Sequence, residues 1–334
     1  MSRRPRILNV EPDRYSPRAR AALEEVGEVT EDALDRDALL KALPGYDALI
    51  VRLGHRVDEA LLDASARLRV VATATTGLDH IDLKAAHDHG VEVLSLRGES
   101  EFLRGVVATA EHTWALLLAL LRRIPAASAA AQKGEWDRDV FRGRELDGKR
   151  LGIVGLGRIG ERVARYGTAF GMEVRAFDRY REGWPDEVIR MPTLDTLVET
   201  ADVLTIHVPS NEDTKGMIGR RHLSRLPPGA VVVNTARGAV LDGAAVADFV
   251  KSGRLSGAAV DVVEGETGAA GLAGDPLVLA ARETDRVLVT PHIGGATTES
   301  MEKTEIFMAK KLADFLKRAL AEGALDERPG ERGR

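Results

Sequence analysis

Short apolar runs alternate along the whole chain with longer stretches whose apolar positions recur every three to four residues. In the first part, RILNV, DALIV, RVVAT and VEVLSL predict strands. Residues 17–26 and 82–89 predict helices between them, the second closed by Gly90. From Leu151 the rhythm restarts with LGIVG, EVRAFD, VLTIHV, AVVVN, GAAVD and RVLVTP. These runs are rich in valine and isoleucine and lack strict alternation, as expected of parallel strands covered on both faces. Two successive sets of alternating strands and helices predict an α/β chain with two doubly wound parallel-sheet domains. Residues 106–124 read as a long helix ending before Pro125, and another is expected from about Thr297 to Ala321. The chain would then leave the first domain near residue 105 and return near 296. This implies a discontinuous domain, 1–105 plus 296–334, around a second of 106–295. The end, EGALDERPGERGR, is charged and expected to fray.

The most specific local pattern is LGIVGLGRIGERVARYGTAFGMEVRAFD. A strand enters Gly155-Leu156-Gly157-Arg158-Ile159-Gly160, a helix follows, and a second strand ends at Asp178, 18 residues after Gly160. A bare G-x-G-x-x-G is weak evidence, but within a strand–loop–helix–strand unit it predicts a dinucleotide site. Gly155 permits the tight turn, Gly157 lets the backbone approach a pyrophosphate, and Gly160 lets the helix pack on the strand. The helix start offers unpaired N–H groups to phosphate. A carboxylate at Asp178 accepts from ribose hydroxyls and repels an added phosphate, which favours NAD over NADP. Arg179 and Arg181 follow it, either as a solvated basic turn or as partners for a 2′-phosphate.

Three polar residues stand just past predicted strand ends: Arg237 after VVVNTA, Glu266 after AAVDVVEG, and His292 after VLVTP. Ligands of open parallel sheets bind beyond those ends. A guanidinium at the rim of an apolar sheet needs an anion or carbonyl oxygen to offset its desolvation. Together the three suit a carbonyl–alcohol redox step. His292 would move the hydroxyl proton, Glu266 would brace the imidazole, and Arg237 would hold a substrate carboxylate and the reacting oxygen. Taken singly, each has a plainer reading: a strand-end ion pair, a surface carboxylate in a glycine-rich stretch, and a turn histidine. Of the other histidines, His112 reads as a satisfied helix residue, and His55, His80 and His222 as loop or surface residues. His87 and His89 read as solvated at a helix end.

Composition narrows the field. The formal net charge of −5 over 334 residues is modest and the charges are interleaved, which argues against nucleic acid or an anionic membrane as partner. With no cysteine there are no disulfides or thiolate metal sites. No His/Asp/Glu spacing suggests a metal, and no serine elbow suggests a hydrolase. The start, MSRRPRILNV, lacks the apolar core of a signal peptide, and no apolar stretch approaches a membrane span of roughly 20 residues. A soluble cytoplasmic protein is expected.

The blocks TGLDHIDLKAA, TAEHTWALLLALLRRIP, ELDGKRLGIVGLGRIG, ADVLTIHVPSNEDTKGMIG, VVVNTARGAVLD, GAAVDVVEGE and TPHIGGAT occur in one order up to about residue 320. In this the chain resembles the D-isomer-specific 2-hydroxyacid dehydrogenases, which include phosphoglycerate, glycerate and D-lactate dehydrogenases. The resemblance implies a flavodoxin-like substrate domain and a Rossmann NAD-binding domain with a cleft between them. It implies catalysis by Arg237, Glu266 and His292. Arg158 and Ile159 would cover the pyrophosphate, Asp178 would hold the ribose, and His207, Val208 and Pro209 would flank the adenine half. Thr235, Ala236, Arg237 and Asp261 would line the nicotinamide side, closed by His292, Gly294 and Gly295. Arg52, Thr75, Thr76 and Gly77 would meet the substrate. The helix after residue 105 and the loop of Trp136 would build a homodimer. Departures stand at Thr75, where the family usually has glycine, and at Arg52-Leu53, where phosphoglycerate-type members often have Arg-Ser. The usual proline is Thr267, followed by a Gly/Ala-rich insert within 267–274, and the segment SLRGESEFLRGVVATAEHT is longer than the common form. These departures argue against a phosphoglycerate substrate. No regulatory domain is expected after the last helix. Two alternatives have the same fold: an NADH-sensing corepressor-like binding protein and a phosphite dehydrogenase. A formate dehydrogenase is disfavoured, because it would place an amide at Glu266.

Overall fold

The computed structural model describes residues 4–266 and 272–325. The chain divides into two units, residues 1–106 with 298–334, and residues 107–297. In the first unit the strands are β1 (Arg6–Asn9), β2 (Glu28–Glu31), β3 (Ala48–Val51), β4 (Val70–Thr73) and β5 (Glu92–Leu94). They are parallel, in the order β2-β1-β3-β4-β5, with Ile7 opposite Ala48 and Ala48 opposite Val70. This is the flavodoxin-like order, which reverses between β1 and β3. Every residue of β3 and β4 is buried. Alternate side chains serve opposite faces. Ile7, Ile50 and Val70 pack with Leu23, Met308, Leu312 and Leu316 from the helices Pro17–Glu24 and Thr298–Ala321. Leu8, Leu49 and Val71 pack with Leu39, Leu61 and Leu62 on the other face.

The second unit holds β6 (Arg150–Val154), β7 (Glu173–Phe177), β8 (Ile189–Arg190), β9 (Val203–Ile206), β10 (Ala230–Asn234), β11 (Leu255–Val260) and β12 (Val287–Val289). Its sheet is parallel throughout, in the order β12-β11-β10-β9-β6-β7-β8. The order reverses between β6 and β9, where a doubly wound sheet leaves its ligand crevice. β9 and β10 are buried at every position.

The pattern of apolar runs misses β2 and β8. Both are edge strands: EVTE has no fully buried residue, and both residues of β8 are exposed. An edge strand needs no apolar run, so its sequence carries little signal. The expected helix 106–124 is also corrected. It spans Ala108–Leu121, Arg123 turns the chain at φ 52°, and a second helix, Ile124–Gln132, starts there. Pro125 lies in that helix's first turn, where its missing N–H leaves no bond unmade. No single helix among the described residues is long and apolar enough to cross a membrane. Residues 267–271 of the Gly/Ala-rich insert and 326–334 of the charged end lie outside the described residues.

Candidate active site

The glycine loop joins β6 to the helix Arg158–Ala169. Gly155 has φ +89°, and a Cβ there would stand 2.7 Å from the His207 carbonyl oxygen. A Cβ on Gly160 would lie 2.1 Å from the Gly155 carbonyl oxygen, so only glycine lets this helix sit on the strand. At Gly157, the helix N-cap, a Cβ would meet nothing within 4 Å. Open space therefore faces the helix start, as a pyrophosphate requires. Burial first, and Arg162 second, lower the pKa of Arg158 at this helix start, an unfavourable setting that a phosphate anion would relieve.

Asp178 follows β7 and ties the loop together. Its Oδ2 accepts from Leu156 N–H at 2.8 Å, and its Oδ1 from the amides of Tyr180 at 2.9 Å and Arg181 at 3.0 Å. Arg181 donates to the carbonyls of Leu156 at 2.6 Å and Gly183 at 2.9 Å, and pairs with Glu161. It is thus engaged within the loop, whereas Arg179 lies 5.6 Å over the Tyr180 ring. Beside the loop is a cavity of about 620 Å³, within the size range of small-molecule sites. Gly157, Asp178, His207, Val208 and Pro209 line it, with apolar Phe177, Met191 and Met217. Burial drives the His207 pKa down to about 3, so the ring is neutral near pH 7. His207 Nε2 lies 2.9 Å from Thr205 Oγ1, and its buried Nδ1 has no partner among the described residues. The open cradle, the rim carboxylate and the cavity fit an NAD molecule.

The three candidate catalytic residues belong to the same unit. His292 Nδ1 and Glu266 Oε1 are 2.6 Å apart, and Glu266 Oε2 accepts from Val263 N–H at 3.4 Å. Arg237 leaves the turn after β10 with Nη1 donating to the Ala236 carbonyl at 2.7 Å. Asn234 ends β10, accepts from Ala236 N–H at 3.0 Å and donates to the Arg237 carbonyl at 2.9 Å, which shapes that turn. Gly238 packs it onto the Glu266 turn, because a Cβ there would lie 2.1 Å from the Val263 carbonyl carbon. Thr235 Oγ1 is 2.8 Å from Thr113 Oγ1.

His292 has φ 53°, a left-handed conformation uncommon for a non-glycine residue, though histidine is among those that adopt it more often. Its loop is held by Asp261, which is 2 % exposed. Oδ1 of Asp261 accepts from Thr290 Oγ1 at 2.6 Å, Ile293 N–H at 2.9 Å and His112 Nε2 at 3.1 Å. Oδ2 accepts from Gly294 N–H at 2.7 Å. Burial raises the pKa of this carboxyl, but the four hydrogen bonds outweigh it and hold the group below the usual carboxylate range. The Asp261 carbonyl also receives His292 N–H at 2.8 Å. Gly295 completes the turn, with Ala296 N–H returning to the Ile293 carbonyl at 2.9 Å.

Arg52, Thr75, Thr76 and Gly77 belong to the other unit, after β3 and β4. Arg52 pairs with Glu305 at 2.6 Å. Thr75 Oγ1 donates to the Gly77 carbonyl at 2.7 Å and lies 3.1 Å from Thr73 Oγ1, so its hydroxyl tightens this loop. Several supporting residues were not legible in the sequence. His112 is the satisfied helix residue expected, but its partner was not legible: it anchors Asp261 across 149 positions, a separation with no local signal. His80, expected at the surface, is 2 % exposed and lies 3.5 Å from Thr73 Oγ1. His89, expected to be solvated, caps its helix and meets Asp63 at 2.8 Å.

Residues 114–294 match a family model described as the NAD binding domain of D-isomer specific 2-hydroxyacid dehydrogenases. The hydroxypyruvate reductase of Thermotoga maritima is 35 % identical over 285 residues, 85 % of this chain and 90 % of its own. The D-3-phosphoglycerate dehydrogenase of Mycobacterium tuberculosis is 39 % identical over 308 residues, 90 % of this chain and 56 % of its own. The chain thus spans about half the length of the phosphoglycerate dehydrogenases it matches. The structure of D-lactate dehydrogenase from Aquifex aeolicus, complexed with NAD and lactic acid, has a TM-score of 0.79 and 29 % identity, covering 96 % of each chain. With a relative matched across 90 % of its length and this unit matched to the family's NAD-binding domain, the chain belongs to the D-isomer specific 2-hydroxyacid dehydrogenases and uses NAD as its cofactor.

Proposed function

We propose that the chain is an NAD-dependent dehydrogenase that interconverts a D-2-hydroxy acid and the matching 2-keto acid. The observation that carries this reading is the 2.6 Å bond between His292 Nδ1 and Glu266. An ionised carboxylate only accepts, so Nδ1 carries a proton, and Nε2 is left to exchange one with a ligand. NAD, when bound, supplies the hydride acceptor, and its reduced form the donor. The protein's part is to move a proton and hold an anion. In oxidation His292 Nε2 removes the hydroxyl proton, and in reduction it returns a proton to the carbonyl oxygen. Glu266 holds the ring in that tautomer and balances the imidazolium. Arg237 binds the substrate carboxylate and polarises the reacting oxygen. Its turn is set on the Glu266 turn by Gly238, so acid/base and anion-binding groups are positioned together.

Gly155, Gly157, Arg158, Ile159 and Gly160 hold the pyrophosphate in this reading, Asp178 the ribose, and His207, Val208 and Pro209 the adenine half. Thr235, Ala236, Asp261, Gly294 and Gly295 lie on the nicotinamide side. Arg52, Thr75, Thr76 and Gly77 serve the substrate. The reading includes a cytoplasmic location and a homodimer, and the homodimer is supported by exposed Ile124 and Val140 (54 % each) and Trp136 (88 %). The test is a panel of 2-keto acids with NADH, following loss of nicotinamide absorbance and the chirality of the product. Turnover of at least one acid to its D-product is expected. NADH binding with no turnover of any acid would refute the reading and leave a nucleotide-sensing protein.

A further inference from the structure

The cavity beside the glycine loop, which lies wholly within the second unit, carries two arginines that the hydride-transfer chemistry does not use. The strand β7 runs into Asp178-Arg179, and β8 lies beside it with Arg190 opposite Ala176. Arg179 and Arg190 both line the cavity, and neither meets a carboxylate among the described residues. Each guanidinium lies over an aromatic ring instead, Arg179 5.6 Å from the centre of Tyr180 and Arg190 5.4 Å from that of Trp184. Neither contact satisfies the guanidinium donors as a carboxylate or a phosphate would. Arg181, by contrast, is committed to two carbonyls and to Glu161. The Asp178 carboxylate is committed as well, because its oxygens take the N–H groups of Leu156, Tyr180 and Arg181, which offset part of its charge. The other carboxylate of the cavity, Asp213, takes the Tyr180 hydroxyl at 3.3 Å. With Asp178, Asp213, Arg179 and Arg190 as its charged side chains, the cavity has a formal charge of zero.

In a Rossmann unit the end of the second strand faces the 2′ position of the adenosine ribose. A carboxylate there accepts from a 2′-hydroxyl, and a nearby arginine accommodates a 2′-phosphate. This chain has both. We propose that the cavity takes NADP and NADPH as well as NAD, with Arg179 and Arg190 pairing with the 2′-phosphate. The proposal rests on the placement of the ribose at Asp178 and of the adenine half beside His207 given above. A phosphate monoester carries close to two negative charges near pH 7. Asp178 repels it, but two guanidinium groups oppose that repulsion, one beyond the end of β7 and one on the neighbouring strand. Exclusion by like charge needs a repulsive group that acts unopposed, and here it does not. NAD remains the preferred cofactor, because only its 2′-hydroxyl donates to Asp178.

The test titrates the full chain with NADH and with NADPH, following nicotinamide fluorescence, in the wild type, Arg179→Ala and Arg190→Ala. In the wild type NADPH should bind no more than about 100-fold more weakly than NADH, since two charge-assisted bonds of about tenfold each oppose the repulsion from one carboxylate. Each variant should lower the affinity for NADPH relative to NADH by about tenfold, and thermal unfolding shows whether it is folded. Salt supplies a check of sign that needs no variant. Both arginines are exposed, so added salt should weaken NADPH more than NADH. If Asp178 governed the site, salt would screen the repulsion and improve NADPH relative to NADH. The proposal is overturned if NADPH binds more than about 100-fold more weakly than NADH, or if salt favours NADPH. It is equally overturned if both variants fold and keep the wild-type ratio. Each of those outcomes leaves the NAD site standing. A variant ratio that shifts while NADH still binds supports the pairing, and a wild type that binds neither nucleotide would remove the placement of the cofactor and this inference with it.

Discussion

Asp261→Asn isolates what holds the His292 loop in place. The substitution changes shape little but turns one acceptor oxygen into a donor. If the amide oxygen takes the Oδ1 position, its NH2 faces Gly294 N–H, which lies 2.7 Å from Oδ2 in the wild type. If the amide flips, the NH2 faces Ile293 N–H, which lies 2.9 Å from Oδ1. Either way a backbone donor beside His292 is stranded at a residue 2 % exposed. Losing a bond to a charged group costs about 1.5–3 kcal/mol, and an unsatisfied buried donor costs about 1–3 kcal/mol. The two overlap, so a local penalty of about 3 kcal/mol is expected, roughly a hundredfold shift towards loop opening. kcat should fall between about tenfold and a hundredfold, because His292 spends less time in its left-handed geometry. The cavity beside the glycine loop, assigned above to the ribose and adenine half, does not include Asp261, so NADH affinity should fall less than kcat, through the nicotinamide-side contacts alone. Steady-state kinetics, an NADH fluorescence titration, and hydrogen exchange at the Ile293 and Gly294 amides would measure these effects. Wild-type kcat together with wild-type protection of those two amides would refute the account of Asp261 as the anchor.

Other predictions follow from the same geometry. Gly238→Ala should push the Arg237 turn off the Glu266 turn, since its Cβ would lie 2.1 Å from the Val263 carbonyl carbon; turnover should drop about tenfold or more with NADH binding retained, and intact turnover would break the proposed link. Gly160→Ala should cost several kcal/mol of stability, about 2–5, and abolish NADH binding, both readable by thermal unfolding with and without NADH. Arg237→Ala and His292→Asn should each lower kcat/KM for keto-acid reduction by about 100-fold or more, and near-normal rates from pH 5 to 9 in His292→Asn would remove its proton-transfer role. The pKa of Asp261 is depressed on folding, so its contribution to stability is full above the ordinary aspartate value of about 4 and fades as pH falls through the lower folded value. The stability gap between wild type and Asp261→Asn should therefore stay level from pH 8 to 5 and narrow only in stronger acid, as urea unfolding across that range would show.

Much of this architecture is written locally along the chain. Strands buried on both faces are mostly apolar, so β3, β4, β9 and β10 stand out as short Val/Ile/Ala-rich runs. The glycine loop is equally readable, because each glycine answers a backbone demand within one strand–turn–helix unit: a positive φ at Gly155, and a helix start pressed on the strand at Gly160. Edge strands β2 and β8 escape that logic, since half-covered backbone does not dictate residue type. What only the tertiary structure decides is partnership. His112 and Asp261 are 149 positions apart, Ser16 and Glu305 289, and no local rule couples them. A buried carboxylate needs donors, but any donor that arrives in space will satisfy it. The requirement therefore marks no spacing along the chain, and the identity of each partner emerges only when the chain is folded.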